Sequence, residues 1–141
     1  MTTRQILVET PSTTHRSSLL GKLGYGLGAL PCALLFTAGL TKLMPHPSEA
    51  MLQGMQHMGV APSLLRIVGV IELAVVALCL VPRTAFLGAI LFTGWAGGAI
   101  MTHLRVGEPA VVQALLAVVV WTGLALRRPT EFKALLGLRA E

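Results

Sequence analysis

The sequence predicts an all-α fold: an integral membrane four-helix bundle with a short interfacial helix between its first and second spans. Three observations carry this. The 141-residue chain is 54% hydrophobic and only 12% charged, with a mean hydropathy of +0.74, whereas a soluble domain has about a quarter of its residues charged. Four apolar runs, Leu20–Leu43, Leu64–Val81, Thr84–Met101 and Val111–Leu126, take up most of the chain, each near or above the roughly 17 residues needed to cross hydrocarbon. The connections are too short to give these runs a polar outer face, so a soluble α-domain is rejected.

The first run is preceded by a polar lead, residues 1–19, expected to be mobile and cytoplasmic. That lead is too long, and the run behind it too long and without a small-x-small site, for a cleaved signal peptide. The run therefore reads as an uncleaved anchor. The membrane domain spans residues 20–126, and residues 127–141 form a cytoplasmic tail. Four spans put both termini on one side, with Arg4, Arg16, Lys22, Arg83, Arg127, Arg128, Lys133 and Arg139. The other side has Lys42, Arg66 and Arg105. Eight cations against three place the termini in the cytoplasm. The net charge of +5 is thus a topology signal, and no nucleic-acid partner is implied.

Along the first span, Gly24 and Gly28 recur at helical i, i+4 spacing, and Gly94 and Gly98 do so in the third. Small residues four apart let helices approach closely in lipid, either within the bundle or in a homo-oligomer. Pro31 should bend the first helix. In the following loop, Ser48 is an N-cap candidate, and Met51, Leu52, Met55 and Met58 share a helical face, predicting the amphipathic interfacial helix. Met51, Met55, Met58, His46 and His57 are donors of the kind Cu(I) takes. Their spacing lacks the density of a metal motif, and methionine fills apolar faces equally well, so no metal site is assigned.

Within the second span, VGVIELAVVALCLV, Glu72 is the sole acid inside an apolar run. It lies six residues, or roughly 9 Å, inside Arg66 along the helix, too deep to reach the interface, so it requires a partner. The flanking helices close with Thr41-Lys42-Leu43 and Thr102-His103-Leu104 and point into one outer zone. Lys42, Glu72, Thr102 and His103 are therefore expected to form a buried polar network or pocket. Thr41, Arg66, Arg105 and Gln113 would form its rim. Each cation taken alone also reads as a residue that snorkels to the interface.

Other chemistry is not indicated. There is no Cys-x-x-Cys, phosphate loop, nucleophile elbow or His-x-x-x-His, and no mid-span histidine pair for a haem. Centring each span in the bilayer separates Cys32 and Cys79 in depth by about 10 Å, beyond disulfide reach.

The elements AGLTKL, VGVIEL and Gly98-Ala99-Ile100-Met101-Thr102-His103, with MGVAPSLLRIVGVIE leading into the second span, resemble the DoxX-like membrane proteins over about residues 20–126. The resemblance implies four helices in the bacterial cytoplasmic (inner) membrane and carries Lys42, Glu72, Thr102 and His103 over from the family's motifs. It fixes no single reaction. Relatives that the resemblance implies include a small membrane subunit of a thiosulfate:quinone oxidoreductase, a component of an oxidative-stress membrane complex and, more distantly, receptor-assembly chaperones.

The leading expectation is an accessory subunit of a redox or quinone-linked membrane complex, whose outer-leaflet pocket would hold a quinone headgroup or a small polar solute. Lys42 and His103 would donate to an oxygen and Glu72 would relay a proton. Any enzymatic role would be that of an oxidoreductase subunit. The alternative is a non-enzymatic assembly factor or chaperone. A small transporter would need an oligomer to form a path and a second mid-span ionisable group.

Overall fold

In the computed structural model of the chain, residues 13–138 are described, with side chains from Leu19 onward. Six helices follow in order: α1 (Thr13–Leu43), α2 (Glu49–His57), α3 (Leu65–Leu80), α4 (Ala85–Arg105), α5 (Val111–Arg127) and α6 (Pro129–Leu135), with a 3-10 turn, Pro62–Leu64, leading into α3. No strand occurs among the described residues. α1 packs against α3 and α5, and α4 closes the ring against the same two helices. Leu30, Ile67, Val70, Leu87, Ile90 and Val118 face outward, all more than half exposed except Leu87 at 50%. An apolar belt of this kind suits lipid, not water.

Three helices, Leu19–Leu43, Pro62–Leu80 and Ala85–Arg105, are long and apolar enough to cross a membrane. α5 and α6 together make a fourth candidate, bent by 117°. The chain is a multi-pass membrane protein. α5 alone has 17 residues, the lower limit for a span. Beyond it, Arg128 pairs with Glu131 at 2.6 Å and the Trp121 and Phe132 rings approach to 6.2 Å. These contacts turn part of the expected tail into α6, folded back on α5.

α1 begins at Thr13, before the expected Leu20. The remainder of the lead expected to be mobile, with Arg4, lies outside the described residues, as does Arg139 at the other end. Pro31 sits fully buried inside α1, which continues past it. The interfacial helix is present as α2. The Ser48 side chain accepts from the Met51 N–H at 3.3 Å, and Gly59, with φ 66°, turns the chain away after it.

Glycines set the helix registers. A Cβ on Gly123 would lie 2.8 Å from both the Gly24 carbonyl oxygen and the Gly28 nitrogen, so α1 and α5 touch backbone to backbone. A Cβ on Gly69 would lie 2.9 Å from the Gly39 oxygen, which fixes α3 against α1. Gly24 and Gly28 are thus taken up inside the bundle. Gly94 and Gly98 have nothing within 4 Å of a Cβ and line a cavity.

This register corrects the expected separation of the cysteines. Cys32 and Cys79 lie in one buried cluster with Leu35, Val76 and Phe92. Centring had no physical basis, because α1 and α3 differ in length. Small residues and a charge pair near one end set the offset instead, and the antiparallel run from Gly39 against Gly69 brings Cys79 to within about a turn of Cys32 in depth.

Gly123→Ala should therefore force α1 and α5 apart and lower stability by about 1–3 kcal/mol, the usual cost of overpacking. Gly94→Ala should be neutral or slightly stabilising, since alanine favours helix. Thermal unfolding in detergent distinguishes the two. Equal effects would mean that the Gly24–Gly123 contact does not hold the helices.

Candidate functional site

Glu72 is the one buried charged side chain among the described residues, at 2% exposure. It lies on α3 facing the last turn of α1, where Lys42 also suits the negative end of the helix dipole. Lys42 Nζ donates to Glu72 Oε1 at 2.9 Å, to Oε2 at 2.7 Å and to the Ala38 carbonyl at 3.3 Å, which uses all three ammonium protons. From α4, Trp95 Nε1 donates to Glu72 Oε1 at 3.2 Å. Its ring packs at 5.4 Å from that of Phe92, a fully buried core residue. One carboxylate thus binds side chains from two other helices.

Beside this network runs a cavity of about 790 Å³. Val68, Ile71, Ala74, Val75 and Leu78 of α3 form one wall, and Leu91, Gly94, Gly98 and Ala99 of α4 form the other. The absence of side chains at the two glycines creates part of its width. Lys42, Glu72, Trp95, Thr102, His103 and Gln113 supply its polar groups, and Met55, Met58 and Val60 cover the same end. Gln113 Oε1 is buried there without a hydrogen-bond partner, an acceptor with capacity to spare.

The structure brings Lys42 and Glu72 into contact, and lines one cavity with both of them, Thr102, His103 and Gln113. Thr102 donates to the Gly98 carbonyl at 2.8 Å. His103 bonds elsewhere: its Nδ1 lies 2.9 Å from Glu108 Oε2, while His57 Nε2 lies 3.1 Å from Oε1 of the same carboxylate. Glu108 therefore ties α2 to the end of α4. Arg105 adds a bond to the Met58 carbonyl. Thr41 is exposed and bonds back to Ala38 at 2.9 Å. Arg66 is exposed, outside the cavity lining.

Sequence reasoning missed Trp95 and the Glu108 clasp. Trp95 was legible as part of the helical row Trp95, Gly98, Thr102; Glu108 carried no signal beyond its place five residues after His103. Among the methionines considered for copper, Met55 and Met58 line the cavity, and His57 belongs to the clasp. No group of three or more His, Cys, Asp or Glu residues placed to hold a metal occurs among the described residues.

The family model of the DoxX-like family matches residues 27–126, well over half the chain and all of the cavity's polar groups. The chain belongs to the DoxX-like family. No curated protein and no solved structure matches it. In this DoxX-like protein the lysine, glutamate, threonine and histidine of the resembling motifs share one cavity, but only the first two are bonded to each other.

Removing either partner of the Lys42–Glu72 pair should cost about 3–5 kcal/mol, because the other charge remains buried without a partner. Glu72→Gln and Lys42→Met should each lower membrane accumulation and thermal stability. The double variant should recover most of the loss, and additive losses in it would mean that the pair is not a clasp.

At Glu108, the His103 hydrogen bond, opposed by partial burial and aided by the charges of His57 and His103, holds the carboxyl below its ordinary value of 4.5. A lowered folded-state pKa contributes stability above pH 4.5, lost as pH falls through the lower value. Wild type should thus be slightly more stable than Glu108→Gln at neutral pH, and the two should converge in acid. A difference that grows below pH 4.5 would contradict the clasp.

Proposed function

We propose that this DoxX-like protein is an accessory subunit of a quinone-linked complex in the bacterial inner membrane, and that its cavity takes the headgroup of a quinone or quinol. The cavity's division into a polar end at Lys42–Glu72 and an apolar trough toward Leu78 and Leu91 carries this reading, since it matches a polar ring on an isoprenoid tail. By the balance of cations, the termini lie in the cytoplasm and the polar end in the outer leaflet.

The hydrogen-bond inventory refines the chemistry. Lys42 has no proton left to give, and the indole N–H of Trp95 is engaged. Spare capacity lies at the remaining carboxylate lone pairs and at Gln113, whose buried Oε1 has no partner and whose amide also carries two N–H donors. Beside the carboxylate the site suits a hydroxyl donor, as in the quinol form, with Glu72 positioned to accept its proton. This reverses the expected role of Lys42, which orients the carboxylate and does not donate to the ligand.

The same closed network favours a second reading, a non-enzymatic assembly factor in which Lys42, Glu72 and Trp95 only brace the helices. A ligand titration separates the two. Trp121→Phe leaves Trp95 as the sole tryptophan, and a quinone in the cavity should quench it saturably. Adding Gly98→Leu, which places a side chain in the open space of the cavity, should weaken that quenching roughly tenfold, about 1.4 kcal/mol. Unsaturable quenching, equal in both proteins, would remove the quinone reading and leave the assembly factor.

A further inference from the structure

Pro129 begins α6, where its missing N–H costs nothing. Phe132 turns inward and meets Trp121 at 6.2 Å between ring centres. Leu135 and Leu136 follow three and four residues later, so they share its face of the helix, yet they are 54% and 58% exposed. Gly137, with φ 73°, ends the helix, and the Leu138 N–H donates back to the Lys133 carbonyl at 2.9 Å. That closure keeps Leu138, itself 59% exposed, at the same end of α6 as the other two leucines. The apolar face of α6 therefore runs on past the bundle, more than half uncovered by the described residues. The bend between α5 and α6 is 117°, more than a right angle. α6 thus turns its leucine end back toward the layer that α5 leaves, and not out into water.

Charge is divided unevenly between the two ends of the bundle. Histidines apart, the described side chains at the α6 end include Lys22, Arg83, Arg127, Arg128 and Lys133 against Glu131 alone. The opposite end has Lys42, Arg66 and Arg105 against Glu49, Glu72 and Glu108. Glu131 is already paired with Arg128 at 2.6 Å, and Lys22, Arg83 and Lys133 enter no ion pair among the described residues. Cations are in excess at one end only, and it is the end that carries the uncovered leucines.

We propose that α6 is an interfacial helix whose leucines enter one leaflet while the cations around it hold the headgroups of anionic phospholipids. Leucines beside unpaired cations call for an apolar layer with negative charge at its surface, and an anionic leaflet supplies both. A nucleic acid or an acidic peptide offers the charge without the layer. The site lies at the far end of the bundle from Lys42 and Glu72, so it stands independently of the quinone reading.

The test places the whole protein in phosphatidylcholine nanodiscs, with Leu136→Cys carrying an environment-sensitive maleimide dye. Cys32 and Cys79, 5% and 2% exposed, stay unlabelled in the folded protein, which the wild type checks. The quencher is phosphatidylglycerol or phosphatidylcholine, each spin-labelled at the top of one acyl chain and added as a minor component. The dye should emit as in an apolar medium and resist dithionite. Phosphatidylglycerol should quench it at a mole fraction roughly tenfold lower than phosphatidylcholine does. Salt should remove most of that preference, and so should Arg83→Gln combined with Lys133→Gln. Inorganic phosphate should act no more strongly than chloride at the same ionic strength; a stronger effect would assign the cations to a soluble anion and overturn the lipid. Equal quenching by the two lipids, or a preference untouched by salt or by the double variant, would also overturn the proposal. So would a dye open to dithionite, which would leave the leucine face to a protein partner.

Discussion

A single carboxylate in an apolar run organises this molecule. Glu72 can remain buried only if its oxygens are occupied, and the groups that occupy them come from two other helices: Lys42 at the end of α1 and Trp95 in the middle of α4. In a lipid environment the usual force that drives helices together in water is absent. Directional contacts therefore weigh more in choosing a register. A buried ion pair contributes little net stability compared with a well-packed apolar substitute. Its effect here is selective. Sliding α1 past α3 by one turn strands both charges, so the pair rules out alternative registers more than it strengthens the one adopted.

Glycine acts in two opposite ways on the same scaffold. Gly69, Gly88, Gly24 and Gly123 lie where a Cβ would collide with backbone, and their absent side chains let helices touch. Gly94 and Gly98 have open space beside them, and their absent side chains widen the cavity. Spacing alone does not separate these uses. Gly24/Gly28 and Gly94/Gly98 are the same i, i+4 pattern, and what differs is whether another helix or the cavity lies alongside. Contacts made within the chain occupy the Gly24 face, and the face carrying Gly94 is the one that opens toward the cavity.

The apolar runs, the capped amphipathic α2 and the isolated acid were legible because each is a property of a few consecutive residues. Lys42 as the partner of Glu72 was also legible, since a long cationic stem at the neighbouring helix end is among the few groups that can reach so deep. Relations between helices were not. Periodicity says which face of a helix is apolar but nothing about how far one helix slides along another, which is why Cys32 and Cys79 were placed apart. Trp95 was overlooked because tryptophan in a membrane helix reads first as a lipid or interface contact. His103 was placed with Glu72 because it closes the third span as Lys42 closes the first, yet a loop turning through Gly107, with φ 78°, brings Glu108 beside the histidine.

The charge balance of the polar network also bears on the ligand proposed for the cavity. Lys42 and Glu72 cancel, so the polar end presents a strong local dipole and no net charge. An anionic phospholipid headgroup brought there would meet a carboxylate as readily as an ammonium, and the ammonium is already committed to that carboxylate. A neutral ring with hydroxyl groups meets no such opposition, and it can donate to the carboxylate and to Gln113. The same neutrality lets the cavity remain in an apolar layer without a counter-ion. The pair that fixes the helix register is therefore also the one that, under the proposed reading, would favour an uncharged, hydrogen-bonding amphiphile, through the same electrostatic arrangement.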